Sequence, residues 1–130
     1  MSTLSNPMVT WILNTFAQVD DVLLEKTLDF LWYNGGYMSM LFHASWCPFS
    51  KMCQSLFDIL SSLFPNIHHV SIEESTVMPS SLSRNGVHSF PSLYLWNQTS
   101  RVHYHGSRDL KSLVLFYKEI TGISNFLHYA

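Results

Sequence analysis

Apolar and polar positions alternate between two rhythms along this chain. From Asp21 to Tyr33 the apolar residues Val22, Leu23, Leu24, Leu28, Phe30 and Leu31 form a broad stripe at helical spacing. Asp20 stands where a helix N-cap is wanted, and Asn34-Gly35-Gly36 supplies residues that tolerate the positive φ of a helix end. Tyr37 to Ala44 is then nearly unbroken apolar sequence. A run of that length and character predicts a strand buried on both faces, central in a sheet. From 48 to 64 the helical rhythm returns. Its predicted inward face is Met52, Cys53, Leu56, Phe57, Ile59, Leu60, Leu63 and Phe64, and Pro65-Asn66 stops it. A strand follows over Ile67 to Glu73, then a short helix over Met78 to Gly86. Phe90 to Trp96 reads as a strand opening on proline, Asn97-Gln98-Thr99-Ser100 as a turn, and Arg101 to His105 as the returning partner. Asp109 caps a last helix to Thr121, with Leu110, Leu113, Val114, Phe116, Tyr117 and Ile120 inward, and Gly122 ends it.

The order is helix, strand, helix, strand, helix, strand, strand, helix. Helical crossovers imply parallel pairing and the final hairpin antiparallel pairing. The fold class is therefore α/β, a mixed central sheet with helices on both faces. Residues 18–122 carry this pattern. Residues 1–17 form an N-terminal segment in which Val9 to Leu13 reads as an edge strand, and 123–130 form a C-terminal tail.

Composition narrows the class. With 130 residues, 47% of them hydrophobic and only 12% charged, the chain has room for one core and no signature of disorder. A net charge of −2 gives no electrostatic case for nucleic acid. No apolar run approaches the ~20 residues that span a bilayer, and the first residues lack the basic region of a signal peptide. Two cysteines are too few for a disulfide framework, so redox chemistry must be local.

That chemistry centres on Ala44-Ser45-Trp46-Cys47-Pro48-Phe49-Ser50. Pro48 suits the first helical position. Cys47 thus sits at the positive end of a helix dipole, where its thiolate is favoured and its pKa falls. Pro48 has no N–H, so the amides of Phe49 and Ser50 are the expected donors to the thiolate. Ser50 stands three residues on, a hydroxyl where a second thiol would complete Cys-x-x-Cys. It can hydrogen-bond a thiolate but cannot resolve a mixed disulfide. Cys53 is six residues from Cys47, ~9 Å of helical rise and about 240° of rotation. Disulfide formation needs Cα atoms within ~7 Å. Cys53 is therefore expected to be a buried, unpaired core residue.

A reactive cysteine at a strand-to-helix junction, with a proline opening a later strand, resembles the thioredoxin fold. Five blocks carry a closer likeness: Ala44 to Ser50, Leu60 to Pro65, Ile72 to Ser75, Gly86 to Ser92 and Arg101 to Ser107. In that order they resemble the plant 5′-adenylylsulfate reductase-like proteins. Those proteins share only the thioredoxin-like part of the true reductase. Nothing here is similar to a nucleotide-binding reductase domain or an iron–sulfur cysteine set, so the resemblance does not imply sulfate reduction. It implies a cis Pro91 beside Cys47, with the backbone of Phe90 presented to an extended peptide. Trp46, Pro48 and Phe49 would be the rest of the substrate-binding surface. It also implies that Leu41 occupies the place of the buried acid that serves dithiol members, a carboxylate with no task where no second thiol exists.

Three functions follow. The first is a monothiol protein forming mixed disulfides with protein or glutathione thiols through Cys47 and Ser50, at most a thiol–disulfide oxidoreductase or isomerase. The second is a non-catalytic peptide-binding or chaperone module using Trp46, Phe49 and Phe90. The third is a monothiol glutaredoxin, disfavoured because Pro48 replaces the glycine of its Cys-Gly-Phe-Ser motif and no basic residue to hold glutathione stands before Cys47. No cofactor is expected. Seven histidines raise a metal reading, but no Cys/His set has zinc spacing. His103 and His105 share one strand face, His68 and His69 point oppositely, and His43 is placed to tune Cys47. The family resemblance implies the secretory pathway and membrane attachment, although this chain shows neither a signal peptide nor a membrane segment. Asn97-Gln98-Thr99 is a glycosylation sequon that fits a lumenal placement.

Overall fold

Leu24, Phe30 and Leu31 fall on one side of the first helix, α1 (Asp21–Asn34), and are buried there. The chain is described here from a computed structural model, over residues 21–123. The edge strand expected within 1–17, the Asp20 cap and the tail from 124 onward lie outside the described residues. Gly35 and Gly36 leave α1 at φ values of 74° and 83°, which a side chain would resist. β1 (Met38–His43) follows and is buried at every position. It pairs in parallel with β2 (His68–Glu73) and antiparallel with β3 (Ser92–Trp96). β4 (Arg101–His103) adds to β3, giving the order β2-β1-β3-β4. β1 is thus a central strand, as its apolar run predicted.

The pleat of β1 divides the core. Met38, Met40 and Phe42 join Leu24, Phe30 and Leu31 of α1 and Leu82 of α3 (Pro79–Arg84) on one face. Leu41 faces the other way, towards Phe57, Leu60 and Leu63 of α2 (Pro48–Leu63) and Leu113 and Tyr117 of α4 (Leu110–Thr121). This is the thioredoxin-like fold. Beneath α2 and α4 three polar side chains form one network. Tyr117 Oη lies 2.6 Å from Ser39 Oγ and 3.0 Å from His69 Nε2. His69 Nδ1 donates to the Ile67 carbonyl (2.8 Å), which leaves Nε2 to accept from Tyr117. Burial holds the His69 pKa down to about 4, so the neutral ring that this network needs is the one present.

Three expectations are corrected. The inward stripe of α2 is narrower than its apolar residues suggested: Met52 and Ile59, which border the Leu63 edge of the Phe57–Leu60–Leu63 face, are exposed. Cys53 is unpaired but only half-buried, although it falls between Phe57 and Leu60 on that face. The hairpin strands are shorter than expected, since Phe90, Pro91 and His105 lie outside the ladder. A 3₁₀ turn at Glu74–Thr76 was not anticipated. The last helix ends as its sequence implied: Asp109 accepts from the Ser112 amide (2.9 Å), and Gly122 closes it at φ 71°.

Candidate functional site

Cys47 is the N-cap of α2, with Pro48 in the first turn. Its amide donates to the Ala44 carbonyl (3.1 Å), closing a tight turn between the strand and the helix. The residue is 7% exposed. Its thiol pKa is nonetheless lowered, and the Ser50 amide is the main cause. Burial opposes the shift, while the Ser50 hydroxyl, the Phe49 amide and the charge of Arg108 add to it. Amides of the first helical turn thus favour the thiolate, that of Ser50 while it also donates to the Cys47 carbonyl (3.1 Å).

Ser50 is fully buried and has a second task. Its Oγ accepts the Ala44 amide at 3.0 Å. With a lone pair held by that amide, the hydroxyl proton is free to point to the Cys47 sulfur. A hydroxyl at position 50 therefore braces the turn and favours the thiolate together.

Two acidic residues that the sequence reading left without a role anchor the loop from outside. Glu73 at the end of β2 accepts the Ser45 amide (3.1 Å), the Ser75 amide (3.2 Å) and the Ser75 hydroxyl. Burial pushes the Glu73 carboxyl up, but these donors and the adjacent His43 outweigh it and hold it below its ordinary value. Glu74 accepts the Trp46 indole N–H at 2.7 Å. The only sequence signal was an acidic pair closing a strand parallel to β1. His43 stands opposite Glu73 in the β1–β2 register. Burial lowers its pKa, and Glu73 partly restores it. Its Nε2 lies 3.5 Å from the Gln54 amide nitrogen, and its Nδ1 has no partner among the described residues.

β3 runs antiparallel to β1 with Ser92 opposite Phe42. Pro91 therefore enters the sheet at the end where β1 leaves for Cys47. The Phe90–Pro91 bond is cis. Pro91 lines a cavity of about 40 Å³ with Leu41, Cys53, Tyr104 and Arg108. The Phe90 side chain is half-buried and packs against the core on the α1 side. The exposed aromatic surface at the site is instead Trp46 (68%) and Phe49 (58%), with Met52 (45%) on the same helix. Burial raises the Cys53 thiol pKa. Arg108 was missed in the sequence. It lies in the loop between β4 and α4, and its guanidinium carbon is 5.8 Å from the Phe49 ring centroid.

The other candidates lie apart from this constellation. Asn97 is half-buried in the β3–β4 turn, its Oδ1 accepting from the Thr99 and Ser100 amides (2.9 and 2.7 Å). His103 stacks on Tyr94, with His105 beside it. His68 meets Phe30 on one face of the sheet and His69 meets Phe57 on the other. Among the described residues no helix is long and apolar enough to cross a membrane.

Residues 34–119 match the thioredoxin family model. The chain is 51% identical over 104 residues to 5′-adenylylsulfate reductase-like 3 of Oryza sativa subsp. japonica, covering 79% of this chain and 33% of that protein. It is 48% identical over 106 residues to 5′-adenylylsulfate reductase-like 7 of Arabidopsis thaliana, covering 82% of this chain and 36% of that protein. The chain thus spans about a third of the length of the curated relatives it matches. Among solved structures, the J-Trx1 fragment of ERdj5 superposes with a TM-score of 0.68 at 16% identity, covering 82% of this chain and 51% of that one. The zinc-bound form of human ERp44 gives 0.64 at 21% identity, covering 79% and 30%.

Proposed function

The chain belongs to the thioredoxin family, and from that premise we propose that it is a monothiol member whose Cys47 forms mixed disulfides with protein or glutathione thiols. The observation that carries this is the pairing at the start of α2: a thiol with a lowered pKa, and a buried hydroxyl where a resolving thiol would stand. The Cys47 thiolate attacks one sulfur of a disulfide. A Cys47–substrate disulfide forms and the other sulfur leaves as a thiolate. Ser50 cannot attack that new bond. Cys53 lies about 9 Å further along the helix axis. The adduct persists until an external thiol displaces it.

Purified chain should form a one-to-one adduct with glutathione disulfide, read by intact mass, and reduce insulin poorly. Ser50→Cys should restore part of the reductase activity, limited by Leu41 in place of an acid. Efficient insulin reduction by the natural sequence would contradict the scheme. A second reading has its own support. Trp46 and Phe49 are large, exposed and adjacent to the thiol, which suits a peptide-binding module. Inert Cys47 together with peptide binding that Trp46→Ala abolishes would favour it.

Placement in the secretory pathway is part of the proposal. The sequon at Asn97 in the β3–β4 turn supports it. Expressed behind a signal sequence, the chain should gain a glycan that Asn97→Gln removes.

A further inference from the structure

Arg108 belongs to none of the sequence motifs, yet it stands in the wall of the cavity beside the proline. It lines that cavity with Pro91, Cys53 and Tyr104. Its guanidinium lies over Phe49, the second residue after Cys47. The charge is felt at both thiols, lowering the pKa of Cys47 and opposing the rise at Cys53. Arg108 is exposed, and among the described residues its guanidinium meets an aromatic ring and no carboxylate. The acidic groups of the loop, Glu73 and Glu74, are engaged by the Ser45 amide and the Trp46 indole. A cation with free donors therefore borders the place where a bound disulfide must lie to meet Cys47.

We propose that Arg108 is a specificity-determining residue that selects disulfides carrying a carboxylate close to the reacting sulfur, glutathione disulfide being the small-molecule case. The inference rests on the reading of Cys47 as a thiol that forms mixed disulfides. A guanidinium presents paired N–H donors that match a carboxylate, and its charge is kept at every working pH. The covalent step is unchanged. The Cys47 thiolate attacks one sulfur of glutathione disulfide, the S–S bond breaks, and Cys47–glutathione disulfide forms. The departing glutathione thiolate takes a proton from water. Arg108 holds a carboxylate and is not consumed.

The test compares adduct formation at Cys47 with glutathione disulfide and with neutral hydroxyethyl disulfide, by intact mass, for the natural chain, Arg108→Gln and Arg108→Lys. Loss of the Arg108 charge also raises the Cys47 pKa, which slows both disulfides alike, so the ratio of the two rates isolates recognition. Arg108→Gln should lower that ratio about fivefold, the scale of one exposed charge-assisted contact. Arg108→Lys should retain part of it, and 0.5 M salt should compress it in the natural chain. Peptide disulfides with Glu or Gln beside the cysteine identify the source. If they show the same dependence on Arg108, any adjacent carboxylate is selected; if they do not, selection is for the tripeptide. Adducts that form with a ratio unchanged in Arg108→Gln would overturn the charge selection and leave the Cys47 reading standing. No adduct with either disulfide would overturn both.

Discussion

Cys47 and Cys53 are the same side chain on the same helix, and their thiols are pushed in opposite directions. Cys47 titrates below an ordinary cysteine and Cys53 above it. Exposed surface alone does not rank them, since Cys47 is the more covered of the two while burial is what raises Cys53. What separates them is the supply of backbone donors. At the start of α2 the amides of Phe49 and Ser50 point towards the sulfur, and the Ser50 amide is shared between it and the Cys47 carbonyl. In the middle of α2 every amide is engaged by the helix itself. Cys53 shares a cavity with Leu41, Phe57 and Leu60, and there burial outweighs the opposing charge of Arg108. The direction of each thiol's pKa here follows its position along the helix rather than its exposed surface.

The contrast is most sharply broken by exchanging the two thiols. Cys47→Ser should abolish the glutathione adduct, while Cys53→Ser should leave it intact; adduct formation in Cys47→Ser would end the assignment. Alkylation with iodoacetamide measures the same difference in the natural chain. The thiolate is the nucleophile, so a lowered pKa moves the rise in rate to lower pH and a raised one to higher pH. Near neutral pH Cys47 should react at least about tenfold faster than Cys53, with the two rates converging in alkali. Coincident profiles would mean that the donors at the helix start do not act. Ser50→Ala is a finer cut. It removes the hydroxyl but keeps the amide, so the Cys47 pKa should rise only part of the way. Adduct formation near neutral pH should slow by about three- to tenfold. The Ala44 amide also loses its acceptor, which should cost about 1–2 kcal/mol in chemical denaturation.

Much of the donor side of this contrast was legible because it is local. Pro48, Phe49 and Ser50 follow Cys47 directly, and the apolar run from Tyr37 set the strand before them. The succession of strands and helices along the chain was legible from the same rhythms, and Asp109 and Gly122 marked the last helix by themselves. What escaped is what the sheet brings together. Glu73 is 28 residues from the Ser45 amide it accepts, and only the parallel pairing of β1 with β2 makes them neighbours. Arg108 reaches Phe49 across the end of the sheet, from beyond β4. The width of α2's buried stripe also escaped. Met52 and Ile59 have the composition of a core but only border the face that the sheet covers. Ser50 was recognised as a missing thiol, yet its bond to the Ala44 amide depends on the tightness of the turn, which residue types alone do not convey.

The smallest expected effect tests whether the loop before Cys47 matters as much as the helix after it. Glu74 holds the indole of Trp46 at 2.7 Å, at the exposed end of the site. Such a charge-assisted bond at the surface contributes about 0.5–1 kcal/mol. It fixes the ring that precedes Cys47 and supplies no donor to the sulfur, because the amides that favour the thiolate come from Phe49 and Ser50. Glu74→Gln should therefore alter Trp46 fluorescence while leaving the alkylation profile of Cys47 in place. The glutathione adduct should form within about twofold of the natural rate, and Cys53 should not respond. A shift of the Cys47 profile as large as that of Ser50→Ala would transfer control of the thiol from the helix amides to the acidic anchor of the loop. The difference between the two cysteines would then reflect the distance of each from β2 rather than its place in α2.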